Sequence, residues 1–154
     1  GGEGEAEIPR MVELSRELPV EVRFIELMPI GECAHWPEGR FIPNTRVLEA
    51  VPELEPCGSS GVARLYSLPN AKGRVGLISP LSSHFCPECN RIRITPDGRL
   101  KPCLHSAQEI ELRGLRGAEL DAKLMDGICA KPMRHHLSAV SPSESLRGMS
   151  RIGG

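Results

Sequence analysis

The stretch from His84 to Ser106, HFCPECNRIRITPDGRLKPCLHS, constrains this chain more than any other, because it sets three cysteines at C-x2-C-x13-C around a readable turn. Asn90 to Thr95 alternates polar and apolar side chains, as a half-buried strand does. Arg91, Arg93 and Thr95 share one face, Ile92 and Ile94 the other. Thr95-Pro96-Asp97-Gly98 predicts a type I turn: Pro96 presets φ at its second position, and Gly98 tolerates the positive φ that follows. Arg99 to Leu104 is then the returning strand.

Only one register keeps the apolar side chains together, with Leu100 facing Ile94 and Pro102 facing Ile92; a slip of one residue inverts a strand. That register puts Cys103 opposite Arg91, two residues and about 7 Å from Cys89. The hairpin thus folds the third cysteine back onto the Cys86/Cys89 pair, and it predicts Cys89, Arg91, Arg93, Lys101 and Cys103 on one face. Thiolates among cations describe a soft-metal site beside an anion site. Spacing alone favours a structural zinc site, closed by His105 or His84, over an iron-sulfur cluster. Arginines that merely solvate a strand face are the plain alternative to an anion site. Disulfides fit worst, since three cysteines cannot pair among themselves and nothing marks the chain as secreted.

Length and composition set the frame. The 154 residues suffice for one domain. Five aromatic residues leave any core to Leu, Ile, Val and Ala, while Gly 16 and Pro 14 predict many turns. A net charge of −1 gives no ground for nonspecific nucleic-acid binding or membrane attraction. No apolar run approaches the roughly 18 residues of a membrane span, and the reading is a protein of a reducing, cytoplasmic compartment. Residues 1–7 read as a flexible acidic lead.

Along the chain, Met11, Leu14 and Leu18 at helical spacing predict a helix from Ile8 to Leu18, ended by Pro19. Val20 to Ile30 follows as an apolar strand, so residues 8–32 resemble one step of an α/β unit. Arg23 on that strand is either salt-bridged or faces an anion. Asn44 is placed to cap a short helix through Ala50. Pro52 to Gly61 reads as irregular, and Val62 to Leu68 with Arg74 to Ile78 as a hairpin. Glu109 to Arg116 and Ala118 to Ile128 both carry helical periodicity. Lys131 to His136 is basic and reads as a solvated turn. Cys33, Cys57 and Cys129 stand singly, as incidental thiols. The closing Gly153-Gly154 is a thin strip of backbone able to enter a narrow pocket.

Three motifs in order, RFIELMPIGE (Arg23 to Glu32), GRVGLISPLSSHFCPECNRIRITPDGRLKPCLHS (Gly73 to Ser106) and MSRIGG (Met149 to Gly154), resemble the GTP 3′,8-cyclase family of radical S-adenosylmethionine enzymes. These enzymes open molybdenum cofactor biosynthesis by joining guanine C8 to ribose C3′ of GTP. The resemblance implies an α/β fragment: late elements of an incomplete (β/α) barrel over residues 8–32, a small antiparallel β-rich iron-sulfur domain with C-terminal helices over 33–128, and a tail segment over 129–154. It implies that Cys86, Cys89 and Cys103 hold a [4Fe-4S] cluster with one iron left for the guanine base, which reverses the preference for zinc. Arg23, Arg91, Ile92 and Arg93 become GTP contacts, Met28 lines an S-adenosylmethionine site, and Gly153 and Gly154 form a tail that supports catalysis. The family's other cluster sits on C-x3-C-x2-C, absent from these 154 residues. The chain is therefore expected to need an N-terminal radical half that brings S-adenosylmethionine and a second [4Fe-4S] cluster, and to be inactive alone. A homodimer, and cyclic pyranopterin monophosphate synthase as the next enzyme, complete the implied partners. A zinc-stabilised nucleotide-binding or interaction module without catalysis is the alternative.

Overall fold

The computed structural model describes residues 2–152, so Gly153 and Gly154 lie outside the described residues. The chain forms two units: one takes the stretch up to Leu27 together with Pro37–Phe85, the other Met28–Trp36 together with the chain from Cys86 onward.

The first unit is α/β. Helix α1 (Gly2–Glu17) begins within the stretch expected as a flexible lead. Its buried stripe is Ile8, Val12 and Ser15, while Met11, Leu14 and Leu18 are about half exposed. Both sets satisfy helical spacing. The inner one is viable despite its serine because Ser15 Oγ donates to the Val12 carbonyl at 2.7 Å, leaving no unpaired hydroxyl in the core.

Four strands, β1 (Glu21–Ile25), β2 (Glu55–Ser60), β3 (Ala63–Ser67) and β4 (Arg74–Ile78), form one sheet in the order β1-β4-β3-β2. β1 runs parallel to β4, with Arg23 opposite Gly76, and the other pairings are antiparallel. The β3–β4 hairpin is as expected. Pro52 to Gly61 is not irregular throughout: it supplies β2, which absorbs its proline through a bulge between Pro56 and Gly58. Ile8, Val12, Val47, Val51, Leu54, Leu68, Val75 and Leu77 make the core, with Phe24 and Tyr66 packed against it. Each large apolar side chain so buried contributes roughly 2 kcal/mol.

Below this core sits a polar lock. Glu26, only 2% exposed, follows β1. Its carboxylate accepts from the backbone N–H of Asn44 at 3.0 Å and of Leu81 and Ser82 at 2.9 Å each, and from the Ser82 hydroxyl. Asn44 precedes α2 (Thr45–Ala50), but its side chain does not cap that helix. The Asn44 amide instead donates to the Ile78 carbonyl at 2.8 Å and to Ser79 Oγ at 3.0 Å, tying the β4 end to the same point.

The second unit is a small antiparallel sheet, β5 (Arg93–Ile94), β6 (Arg99–Lys101) and β7 (Ile110–Glu111), in the order β5-β6-β7. Helix α3 (Gly117–Cys129) packs on β6. Its contact is backbone-close at Gly127, where an added Cβ would sit 1.8 Å from Leu100 Cδ2. Glu109 to Arg116 is not the helix its periodicity predicts. Ile110 pairs with Leu100 across the sheet, and Glu109 is held by cations described below. Among the described residues no helix is long and apolar enough to cross a membrane.

Candidate functional site

The cysteine hairpin takes the register its apolar pattern requires: Arg93 pairs with Lys101 and Ile94 with Leu100. The turn closes through Gly98 N–H to the Thr95 carbonyl at 2.9 Å, with Gly98 at φ +78°. Thr95 N–H to the Arg99 carbonyl at 2.8 Å continues it. Cys86–Glu88 is a 3-10 turn, and Cys89 N–H reaches back to the Cys86 carbonyl at 3.2 Å, so both thiols leave one tight turn. Cys86, Cys89 and Cys103 are all half-buried and unpaired by disulfides.

The ladder does not extend to Arg91 and Cys103. Lys131 takes over there: its ammonium donates to the Arg91 carbonyl at 2.7 Å and the Pro102 carbonyl at 3.2 Å, clamping both strands beside the cysteines. The basic run from Lys131 is therefore a structural tie as well as a surface turn. Its next residues reach the same place. A ring nitrogen of His135 and Cys86 Sγ lie within 4.8 Å of each other. Leu137 N–H donates to His135 Nδ1 at 3.2 Å, and the His105 and His135 rings meet edge to face at 4.7 Å. His105, expected as a ligand only in the zinc reading, is buried and approaches Ser143 Oγ at 3.4 Å through Nδ1. Cys103, His105, His135 and residues 141–144 line a cleft of about 180 Å³.

Lys101 departs from expectation. Its place opposite Arg93 is as predicted, but the side chain is fully buried, and the ammonium donates to the Ser106 carbonyl at 2.7 Å and lies 3.5 Å from Glu109 Oε1. A buried ammonium with these partners is not offered to an anion from outside. The reason is β7, which brings Glu109 alongside β6 and which the sequence pattern disguises as helix. Arg91 is exposed, whereas Ile92 and Arg93 are half-buried. In the first unit, Arg23 Nε is paired with Glu21 Oε1 at 2.6 Å and its Nη2 lies 3.5 Å from Ser60 Oγ, so it takes the salt-bridged form. Its side chain keeps 42% exposure. Met28 is half-buried, its carbonyl accepting from Ile30 N–H at 2.8 Å.

No sequence pattern pointed to Arg147. Its guanidinium grips Asp97 through Nη1 and Nη2 at 2.9 and 2.7 Å, and Glu109 through Nε and Nη2 at 2.6 and 2.8 Å. Such two-pronged pairs are the geometrically specific kind. The hydrogen bonds from Arg147 hold the Asp97 carboxyl well below the usual carboxylate range, and they lower Glu109 too, with Lys101 adding to the effect. The two carboxylates in turn raise Arg147. Beyond the clamp, Gly148 abuts Gly31 so closely that a Cβ on Gly31, which also sits at φ +58°, would lie 3.0 Å from Gly148 Cα. Ile152 is 1% exposed, so the chain is anchored up to the last described residue.

The clamp has a sign in pH. Carboxyls depressed in the folded state contribute stability that is fully present above their ordinary values near 4 and is lost as pH falls through the depressed ones. Urea unfolding between pH 3 and 7 should show wild-type stability falling more steeply below about pH 4 than that of Arg147→Met, with the two curves parallel above about pH 5. Equal slopes at low pH would remove the clamp from the account.

The residue types suit a soft-metal group: Cys86 and Cys89 bound a tight turn and Cys103 follows β6, all three half-buried, with Arg91 and Arg93 between them and Lys131 bonded to the hairpin backbone. Among the described residues, however, the donor atoms that lie within 4.8 Å of one another around Cys86 Sγ are those of His84 and His135, and include neither Cys89 nor Cys103. Similarity to known proteins now bears on that fit. Residues 20–137 match the family described as Molybdenum Cofactor Synthesis C. The chain is 50% identical over 161 residues to the GTP 3′,8-cyclase of Alkaliphilus metalliredigens, covering 100% of the chain and 50% of that protein. It is 47% identical over 159 residues to that of Alkaliphilus oremlandii, with the same coverage. Against the enzyme of Pelotomaculum thermopropionicum it is 41% identical over 166 residues, covering 99% of the chain and 50% of the relative. The chain thus spans about half the length of the curated relatives it matches. With the matched region running from before β1 to the histidines beside the cysteine hairpin, the chain belongs to the Molybdenum Cofactor Synthesis C family.

Proposed function

We propose that this chain is the substrate-cluster part of a GTP 3′,8-cyclase, the enzyme that converts GTP to (8S)-3′,8-cyclo-7,8-dihydroguanosine 5′-triphosphate. The observation that supports the reading is the hairpin register, which sets the strands leading from Cys89 and to Cys103 side by side, in a chain related to such cyclases over half their length. In this reading Cys86, Cys89 and Cys103 hold a [4Fe-4S] cluster. Three protein ligands on four irons would leave one iron to hold the guanine base.

The chain's own residues do the rest. Arg91 and Arg93 give charge-assisted hydrogen bonds to the triphosphate, Ile92 offers its backbone, and Arg23 exchanges Glu21 for the nucleotide. α1 and β1 are late elements of a (β/α) barrel whose earlier strands, with the S-adenosylmethionine-binding cluster, come from an N-terminal half. Met28 lines the S-adenosylmethionine side, and Gly153 and Gly154 serve as the tail that supports catalysis. The whole acts as a cytoplasmic homodimer and passes its product to cyclic pyranopterin monophosphate synthase.

Anaerobic reconstitution of the chain with iron and sulfide tests this directly. About four irons and four sulfides per chain are expected, with GTP bound to the reconstituted protein. Arg91→Ala and Arg93→Ala should each weaken GTP binding roughly 10- to 100-fold, the loss of one charge-assisted bond. One zinc and no sulfide would sink the reading. The closeness of Cys86 and His135 favours that second outcome specifically, since a mixed thiolate and imidazole pair is a common zinc donor set. The chain would then be a zinc-stabilised nucleotide-binding or interaction module without catalysis.

A further inference from the structure

Resting on the cluster reading above, we propose that His135 is a hydrogen-bond donor to the sulfur of Cys86 when the cluster is bound, and that it sets the reduction potential of that cluster without ligating it. Three observations point this way. A ring nitrogen of His135 lies within 4.8 Å of Cys86 Sγ, and His135 lines the cleft that Cys103 also lines. The ring is held on two sides, by the edge of the buried His105 ring and by the Leu137 N–H donating to Nδ1 at 3.2 Å. The segment that carries it is fastened to the cysteine hairpin through Lys131, on the carbonyls of Arg91 and Pro102.

The tautomer follows from the second of these. With its Nδ1 lone pair engaged by Leu137 N–H, the neutral ring carries its proton on Nε2. With Nε2–H turned to Cys86 the ring donates; to ligate through that nitrogen it would have to move the proton to Nδ1, which would then give up Leu137. In this reading His135 serves Cys86 as a donor rather than the cluster as a ligand. A hydrogen bond to a cysteine sulfur withdraws electron density from the metal and stabilises the reduced, more negative cluster, which raises its potential.

The test is an EPR-monitored redox titration of the anaerobically reconstituted chain, in which the cluster takes one electron from the titrating reductant. His135→Phe should keep full iron and sulfide but titrate at a lower potential than wild type. His135→Gln, which retains an N–H donor, should recover most of the difference, and His136→Phe, altering the exposed neighbour in the same cleft, should titrate as wild type. Nitrogen hyperfine spectroscopy on the reduced wild-type cluster should show the weak coupling of a hydrogen-bonded nitrogen. A strong coupling of a directly bound nitrogen would overturn the proposal, and so would an unchanged potential in a fully loaded His135→Phe. Failure of both His135 variants to hold a cluster that wild type holds would overturn it too, since ligation would then be the role. If wild type itself takes up zinc and no sulfide, the cluster reading has failed and this inference falls with it.

Discussion

Replacing Glu26 by alanine should lower the stability of the chain by about 3 kcal/mol, because it strips three backbone donors, one buried and two part-buried, of their acceptor at once. The carboxylate of Glu26, itself 2% exposed, receives the Asn44, Leu81 and Ser82 N–H groups between 2.9 and 3.0 Å. Each orphaned buried donor costs about 1–3 kcal/mol, and partial entry of water reduces the sum. Such a loss is a large share of the 5–15 kcal/mol typical of a folded domain. Glu26→Gln keeps an acceptor oxygen but turns an amide N–H₂ toward donors, and about 2 kcal/mol is expected of it. Urea midpoints followed by circular dichroism decide the matter. A loss below about 1 kcal/mol for the alanine variant would mean that water replaces the carboxylate freely.

Cys103→Ala should abolish cluster uptake outright, with iron and sulfide in the reconstituted chain falling to background while the fold survives. Cys103 lies beyond β6, and the ties that hold its neighbourhood, Lys131 on the Pro102 carbonyl and the Arg93–Lys101 pairing, do not involve its thiol. On the proposed ligand set, removing one of three anchors would leave the cluster two thiolates, too few to compete with dissociation and oxidation. Cys129→Ala, altering an exposed thiol on α3, is the matching control and should load fully. A Cys103→Ala chain that still bound full iron and sulfide would require a different ligand.

The hairpin was legible because its determinants are local. Thr95 to Gly98 encodes its own turn, and the period-2 alternation on either side admits a single register. What those local rules could not say was where Lys101 finds its counter-charge. That depends on Glu109, whose strand looks helical in sequence because Ile110 and Leu112 suit either period. The Asp97–Arg147 pair joins residues 50 apart, and no spacing rule reaches so far. α1 shows the limit of periodicity differently: Met11, Leu14, Leu18 and Ile8, Val12, Ser15 are both regular stripes, and only the Ser15 hydrogen bond and the sheet beneath select the second. In the candidate site, the sequence singled out the cysteines but not His135, whose segment is tied to the hairpin by Lys131 bridging two carbonyls.

The threading of the second unit carries a consequence for how the chain is made. Met28–Trp36 belongs to that unit, where the Pro29 carbonyl accepts from Ser143 N–H at 2.9 Å and Gly31 lies against Gly148. At roughly 5–20 residues per second of synthesis, this early segment leaves the ribosome on the order of ten seconds before the residues that complete it. Until then its backbone groups have only water for company. Cutting a gene at Cys86 to isolate the cysteine region would make that waiting state permanent, so an early excision and a late truncation become the same lesion.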